Sequence, residues 1–477
     1  MLKFYFKNMI NQYIEEKIRS HFSFQPTPQQ AELIGALSEF VASPDADSVF
    51  LLKGCAGTGK TSVVSALIQM LGELRMPVVL LAPTGRAAKV LSSYSGRPAF
   101  TIHRCIYREK VGGELYGDFS LNVNRNRGAI FVVDEASMIS NGGMDSNFGS
   151  GHLLSDLLSF VYCGDGSRII FVGDVAQLPP VGSELSPALD RVELEGSGLK
   201  VSECFLTEVV RQSQQSGILY NATQLRQLMD GYDGSLPAIA TEGFHDVHLI
   251  SGAELVEDIA SAYSHYGMDD VTIISRSNKR VGIINNGVRA QVLGREEELT
   301  QGDMLMVVKN NYFWAKGVEH LDFIANGDVA EVRRVRHQMD MYGFRFADVT
   351  LRFPDYGDVE IDVKILLDGL QSPAPSLSYE ENTRLYQAVE ADYMDITNKR
   401  DRFRKMREDA YLNALQVKFA YAVTCHKAQG GQWSCVFLDK GFVPSEQMNV
   451  DFLRWLYTAF TRATQSIYLI NWEPEEH

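Results

Sequence analysis

Residues 54–61 read GCAGTGKT, a run whose residue types point to phosphate chemistry. Glycines at 54, 57 and 59 let successive backbone N–H groups wrap anionic oxygens. A lysine then reaches the β and γ phosphates, and a hydroxyl offers itself to Mg²⁺. The run assigns Gly54, Ala56, Gly57, Thr58, Gly59, Lys60, Thr61 and Ser62 to a triphosphate cradle. Further on, FVVDEAS (131–137) ends an apolar run in two carboxylates. Asp134 suits holding Mg²⁺ through water and Glu135 suits polarising an attacking water, the division of labour that phosphoanhydride hydrolysis needs. FVGDVAQLPPVG (171–182) ends another run in Asp174 and Gln177. A neutral amide at a strand end can bond a γ phosphate and change partners when it leaves. In YTAFTRATQ (457–465), Arg462 sits in an otherwise apolar helical face, where an arginine is costly unless an anion pairs with it.

These groups need elements to carry them. SVFLLKG, PVVLLAPT, GAIFVVDEAS and RIIFVGD are short runs rich in Val, Ile, Leu and Phe, bounded by turns. Strands buried on both faces of a parallel α/β sheet have this pattern. DVTIISR (270–276), and VKFAYAVT and CVFLDKG after 417, repeat it and predict a second α/β domain. Between them, 301–365 alternates polar and apolar residues with short Gly, Asn or Pro turns, the pattern of a small antiparallel barrel or sandwich. Residues 378–416 are charged, lack Gly and Pro, and predict one long helix or a helical hairpin. Their Lys399, Arg400, Arg402, Arg404, Lys405 and Arg407 read as a solvated face. Residues 139–152 read as a mobile loop and 107–119 as a hairpin around Gly112 and Gly113.

The chain thus divides into an N-terminal helical extension (1–23), a first α/β domain (24–200) with a hairpin insertion near 105–128, a second α/β domain (201–300 and 411–477), and an inserted barrel plus helical segment (301–410). A length of 477 residues exceeds what one core supports. With 45% hydrophobic and 22% charged residues the composition is that of a globular protein. A formal net charge of −15 argues against coating nucleic acid by bulk electrostatics and leaves room only for local basic grooves. The six cysteines form no C-x-x-C pair and have no histidine at metal spacing, which fits free thiols in a reducing compartment. No signal-peptide core or apolar run of membrane length is present, so a cytoplasmic protein without membrane contact is expected.

The ordered set PTPQQAE, GCAGTGKTS, LAPTGRAAKVL, TIHR, VVDEAS, GDVAQLPPVG, LTEVVRQ, YAVTCHKAQGGQW and LYTAFTRA resembles the superfamily 1 DNA helicases of the RecD-like and Dda-like branch, from about residue 24 to 470. The resemblance implies two RecA-like P-loop NTPase domains with an inserted SH3-like β-barrel and a helical segment. It implies ATP with Mg²⁺ in the cleft between the two domains, single-stranded DNA across both, and movement 5′ to 3′. Duplex/single-strand junctions are the implied further partner, and a monomer the implied state.

Arg211 and Arg462 are similar in placement to the family's arginines that reach the γ phosphate. Gln30 is similar to its adenine-reading glutamine, although TPQQ leaves Gln29 open and Thr-x-x-Gln is itself a capping box. Contacts to the strand are implied for Thr84, Arg86, His103, Arg104, Thr424, His426, Lys427 and Gln429, which grip phosphates without reading sequence. The 107–119 hairpin is either the family's duplex-splitting wedge or a surface hairpin. Two other readings stand beside the helicase: a motor subunit of a helicase–nuclease complex, and a DNA-binding nucleotide switch that does not unwind.

Overall fold

In a computed structural model, residues 2–22, 24–109, 119–142, 149–210, 216–318, 321, 323–372, 374 and 376–472 are described. The expected wedge hairpin, the 139–152 loop in part, and Arg211 lie wholly or partly outside them.

Strands β1 (Ser48–Gly54), β2 (Val78–Ala82), β3 (Ala99–Thr101), β4 (Tyr107–Glu109), β5 (Phe119–Leu121), β6 (Ile130–Val133), β7 (Arg168–Gly173) and β8 (Lys200–Leu206) make up the first region. Six form a parallel sheet in the order β3-β2-β6-β7-β1-β8, and β4 pairs with β5 as an antiparallel hairpin. Side chains alternate across a strand. Phe50, Leu52, Ile130, Val132, Ile170 and Val172 therefore pack on one face with the helices Pro28–Ala42 and Lys60–Glu73. Val49, Leu51, Phe131, Val133, Ile169 and Phe171 pack on the other with the helix Leu153–Tyr162. Burial on both faces explains why these runs are continuously apolar.

The expected boundary at 200 is corrected by β8, which pairs with β1 along its whole length, Ser48 with Lys200 through Gly54 with Leu206. The first sheet runs on to residue 206. The N-terminal helix Leu2–Ser20 is likewise no separate extension, because its buried Ile14 and Ile18 join the first domain's core.

The second sheet combines β9 (Val247–Ile250) and β10 (Val271–Ser275) with three later strands. Before those come β11 (Met304–Val307), β12 (Val329–Met341), β13 (Phe344–Phe353), β14 (Val359–Leu366) and β15 (Leu415–Phe419), which close a five-stranded barrel. Then β16 (Ala422–Thr424), β17 (Trp433–Asp439) and β18 (Ala463–Ile470) complete the parallel order β16-β10-β17-β18-β9. A second correction follows. LQVKF was expected in the second α/β domain, yet β15 closes the barrel by pairing antiparallel with β11 and parallel with β14. A short run of this composition reads the same in either setting, and only the pairing decides.

Residues 378–416 carry two short helices. Tyr379–Ala391 starts at a Ser378–Glu381 capping box and Lys399–Met406 restarts at the N-cap Asn398. Leu385 and Val389 pack on Phe344, Phe346 and Leu366, which fixes this unit to the outside of the barrel. Lys399, Arg400, Arg404 and Lys405 are exposed.

Candidate nucleotide and strand clefts

The glycine-rich loop joins β1 to the helix Lys60–Glu73, and its glycines are required by geometry. Gly57 and Gly59 have φ of +74° and +79°, in the left-handed region that glycine adopts without strain. A Cβ on Gly54 would lie 2.8 Å from the Lys60 side chain, and one on Gly59 only 2.4 Å from Gln30 Nε2. Lys60 Nζ folds back to donate to the Gly54 and Cys55 carbonyl oxygens at 2.5 and 2.9 Å, and lies 3.9 Å from Asp174 Oδ2. Thr61 and Ser62 are exposed at the helix start. The Gln30 amide is spent on both ends. Its oxygen accepts from Thr27 N–H in a capping box, and its nitrogen donates to the Thr58 carbonyl at 2.9 Å. Gln29 accepts from the N–H groups of Thr207 and Glu208.

β6 delivers Asp134 and Glu135 to the same place. The Tyr94 hydroxyl donates to Asp134 Oδ2 at 2.7 Å and Glu135 N–H donates to Oδ1 at 2.8 Å. Glu135 holds φ +52°, a left-handed conformation that costs a non-glycine residue about 1–3 kcal/mol and that clusters at functional sites. Burial pushes both carboxyls above their ordinary range; the Tyr94 hydrogen bond opposes this at Asp134, and the Arg462 charge opposes it at Glu135.

Arg462 arrives from the second domain, from the turn between the helix Val450–Phe460 and β18. It is 3% exposed, donates to the Thr458 and Gly431 carbonyl oxygens, and lies 3.7 Å from Glu135 Oε1. The anion the sequence demands for it is, in this structure, the first domain's own carboxylate. Gln177 is buried with its Oε1 unpartnered. A cradle that any Cβ would fill, an orphaned amide and two carboxylates beside a lysine fit a nucleoside triphosphate. Among the described residues no cluster of three or more His, Cys, Asp or Glu could cage a metal alone. Thr61 and Asp134 suit Mg²⁺, which keeps waters and phosphate oxygens among its ligands.

Sequence reasoning missed a second-domain residue here. Tyr457 is buried between the domains, its hydroxyl donating to Asp174 Oδ2 at 2.5 Å and accepting from Ala56 N–H at 2.8 Å. Its neighbour Thr458 accepts from Leu178 N–H at 2.8 Å.

A separate cleft of about 820 Å³ opens where the two sheets and the barrel meet. Of the expected strand contacts, Thr84, Arg86, His426, Lys427 and Gln429 line it. Thr84 caps the helix Gly85–Ser95 by accepting from Ala87 N–H. The Arg86 guanidinium lies 3.9 Å from the Trp433 ring centroid and donates to the Gln432 carbonyl, so it braces one domain on the other. Lys427 donates to Asn326 of the barrel. Burial pushes His426 and Lys427 below their ordinary values, favouring their neutral forms. Arg104 lines an adjoining groove of about 550 Å³ that shares Gly85, Lys89 and Asp355 with the cleft. His103, with its ring 5.7 Å from Tyr107, and Thr424 line neither.

Gln429, on the cleft wall, is buried and donates an amide N–H to the Leu178 carbonyl at 2.6 Å, so in this arrangement it also ties the domains together. The barrel also supplies groups the sequence did not flag. Asp355 and the Pro354 carbonyl hold Lys89, and Tyr356 donates to buried Asp328 against Gly85. The hairpin base meets the same region, with Phe119 4.4 Å from Tyr312 between ring centroids.

Comparison with known proteins agrees with this anatomy. A family described as an AAA domain matches residues 26–231 and one described as a UvrD-like helicase C-terminal domain matches 419–470. The ATP-dependent RecD2 DNA helicase of Deinococcus radiodurans is 25% identical over 433 residues, covering 88% of this chain and 46% of that protein. The chain therefore spans about half of that relative's length. The ATP-dependent DNA helicase dda of Enterobacteria phage T4 is 24% identical over 430 residues, covering 82% of this chain and 86% of that one. The crystal structure of Pif1 helicase from Candida albicans aligns over 94% of each chain with a TM-score of 0.45 and 16% identity. The two family matches lie in chain order, one on each α/β domain, and the chain is similar along most of its length to the RecD2 and dda helicases.

Proposed function

We propose that the protein is an ATP-dependent DNA helicase that moves 5′ to 3′ along single-stranded DNA and opens duplex at single-strand junctions, with ATP and Mg²⁺ bound between the two α/β domains. One observation carries this reading: Arg462 of the second domain ends 3.7 Å from Glu135 of the first, so a phosphate bond broken there changes what holds the domains together.

In this reading Lys60 and the loop N–H groups neutralise the β and γ oxygens, Glu135 orients the attacking water, and Arg462 transfers from Glu135 to the charge that develops on the γ phosphate. Thr61 and Asp134 would hold Mg²⁺, which would supply further charge neutralisation. Release of phosphate returns Arg462 to Glu135. Relative movement then reaches the strand cleft, because Arg86 and Trp433 on its two walls belong to different domains. Arg211 is assigned as a second arginine for the γ phosphate.

ATP turnover measured with and without single-stranded DNA, and strand displacement from 5′-tailed and 3′-tailed duplexes, test the proposal. Turnover that rises with DNA and displacement from the 5′-tailed substrate alone are expected. Turnover indifferent to DNA would instead select the switch that does not unwind.

A further inference from the structure

The turn after β7 carries Gln177 and is gripped from the second domain at three points. Tyr457 takes Asp174, Thr458 Oγ1 accepts the Leu178 N–H, and Gln429 Nε2 donates to the Leu178 carbonyl. Two of these end on backbone groups of one residue. The third does more, because the phenol oxygen that donates to Asp174 also accepts the Ala56 N–H of the glycine-rich loop.

A phenol has one proton and two lone pairs. Its proton points to Asp174, whose other oxygen accepts from Ala176 N–H and whose carboxylate faces the Lys60 ammonium. Burial beside Asp174 pushes the Tyr457 phenol well above its ordinary value, so it stays protonated and remains a donor to that carboxylate. The lone pair toward Ala56 keeps a part-buried loop N–H satisfied. An N–H in such a loop bonds an ionised oxygen about twice as strongly as a neutral one.

We propose that the Tyr457 hydroxyl is a positioning residue that stands in for an anionic oxygen at Ala56 N–H, and yields that N–H when a nucleotide with a terminal phosphate enters the loop. The inference rests on reading the cleft as a nucleotide site. It adds a sensor on the second domain, reached through the loop itself and separate from Arg462. Freed from Ala56 but still tied to Asp174, the phenol shifts with the helix Val450–Phe460, which carries Thr458 and leads directly into Arg462.

The test is the affinity of the full chain for AMP-PNP and for ADP, by calorimetry, in wild type and Tyr457→Phe. The ring stays packed in the variant and only the competitor is lost. Affinity for AMP-PNP is expected to rise about fivefold, the size of one ordinary hydrogen bond, with ADP unchanged. DNA-stimulated kcat is expected to fall while KM for ATP stays level or drops, a split that general loosening of the site would not produce. Asp174→Asn keeps the hydroxyl but makes its proton acceptor neutral. It moves the AMP-PNP to ADP ratio the same way by less, and reads the same contact should the Phe variant unfold. A ratio unmoved in both variants, or both nucleotides weakened together, overturns the inference and leaves the nucleotide site standing. A wild type that binds neither nucleotide overturns both.

Discussion

Along the nucleotide seam the second domain contributes Gln429, Tyr457, Thr458 and Arg462, each buried and each facing a defined group of the first domain. Along the strand seam Arg86 lies over Trp433, Lys89 reaches Asp355, and an open cleft runs between. The first seam is closely packed; the second is open and mixed in sign, with Asp269, Asp270, Asp355 and Asp358 beside Arg86, Lys89, Arg352 and Lys427. A nucleotide fills a defined volume and rewards buried, directional groups. A strand that must slide rewards exchangeable pairs, and in the proposed reading the carboxylates of the cleft are stand-ins that phosphates displace. This reconciles a net charge of −15 with a nucleic-acid cleft.

Breaking the nucleotide seam has the largest expected consequence. Lys60→Ala abolishes ATP turnover with the circular dichroism spectrum retained, and residual wild-type hydrolysis would remove the loop from the site. Arg462→Ala retains ATP binding and lowers hydrolysis by about 10³-fold or more, the range of an arginine finger. It also strips a charge partner from half-buried Glu135, so a lower melting temperature accompanies the kinetic loss. Unchanged single-turnover hydrolysis in this variant would make the Arg462–Glu135 contact purely structural.

Nearly all of the nucleotide seam on the first domain was legible in the sequence. Asp134 and Glu135 stand at the end of a continuously apolar run, and Lys60 and Gln177 a short loop beyond two others, at the edge where parallel strands present their residues. Arg462 announced itself as a charge in an apolar face. Tyr457 did not, because an aromatic in a helix buried all round looks like core; its position five residues before Arg462 was the available signal. Gln429 shares a segment with His426 and Lys427, and its second role, the bond to Leu178 across the domains, is not visible in that segment. The strand seam was half legible: Thr84, Arg86, His426 and Lys427 came from motifs, while Asn326, Asp328, Asp355 and Tyr356 reach it through the barrel. Which barrel turn faces the first domain depends on how β15 closes the barrel, a pairing between residues 365 and 415 that no local pattern encodes.

The strand seam is sharpened by Arg86→Ala. Its expected effect is about a tenfold loss of single-strand affinity, with the slope of log affinity against log salt shallower by about 0.7, the value for one phosphate on a single strand. A tenfold loss with the slope intact would assign Arg86 to bracing Trp433 alone. Turnover without DNA, measured in parallel, stays at the wild-type level, because the guanidinium touches no group of the nucleotide seam.

The smallest effect is read in stability at the barrel's contact with the first domain. Asp328 is buried against Gly85 and accepts from Tyr356 and Ala325 N–H, and burial raises its pKa to about 7. An ordinary aspartate titrates near 3.9. Between roughly pH 4 and pH 7 the folded chain therefore holds a proton that the unfolded chain releases, and stability falls as pH rises through that window before levelling off. Asp328→Asn removes the titration while keeping an oxygen for Tyr356. Relative to wild type, its urea midpoint should climb steadily from pH 5 to pH 7.5. Parallel midpoints across that range would mean that Asp328 stays ionised, which would place a fixed negative charge at the start of the helix Gly85–Ser95 where the strand reading needs room for a phosphate.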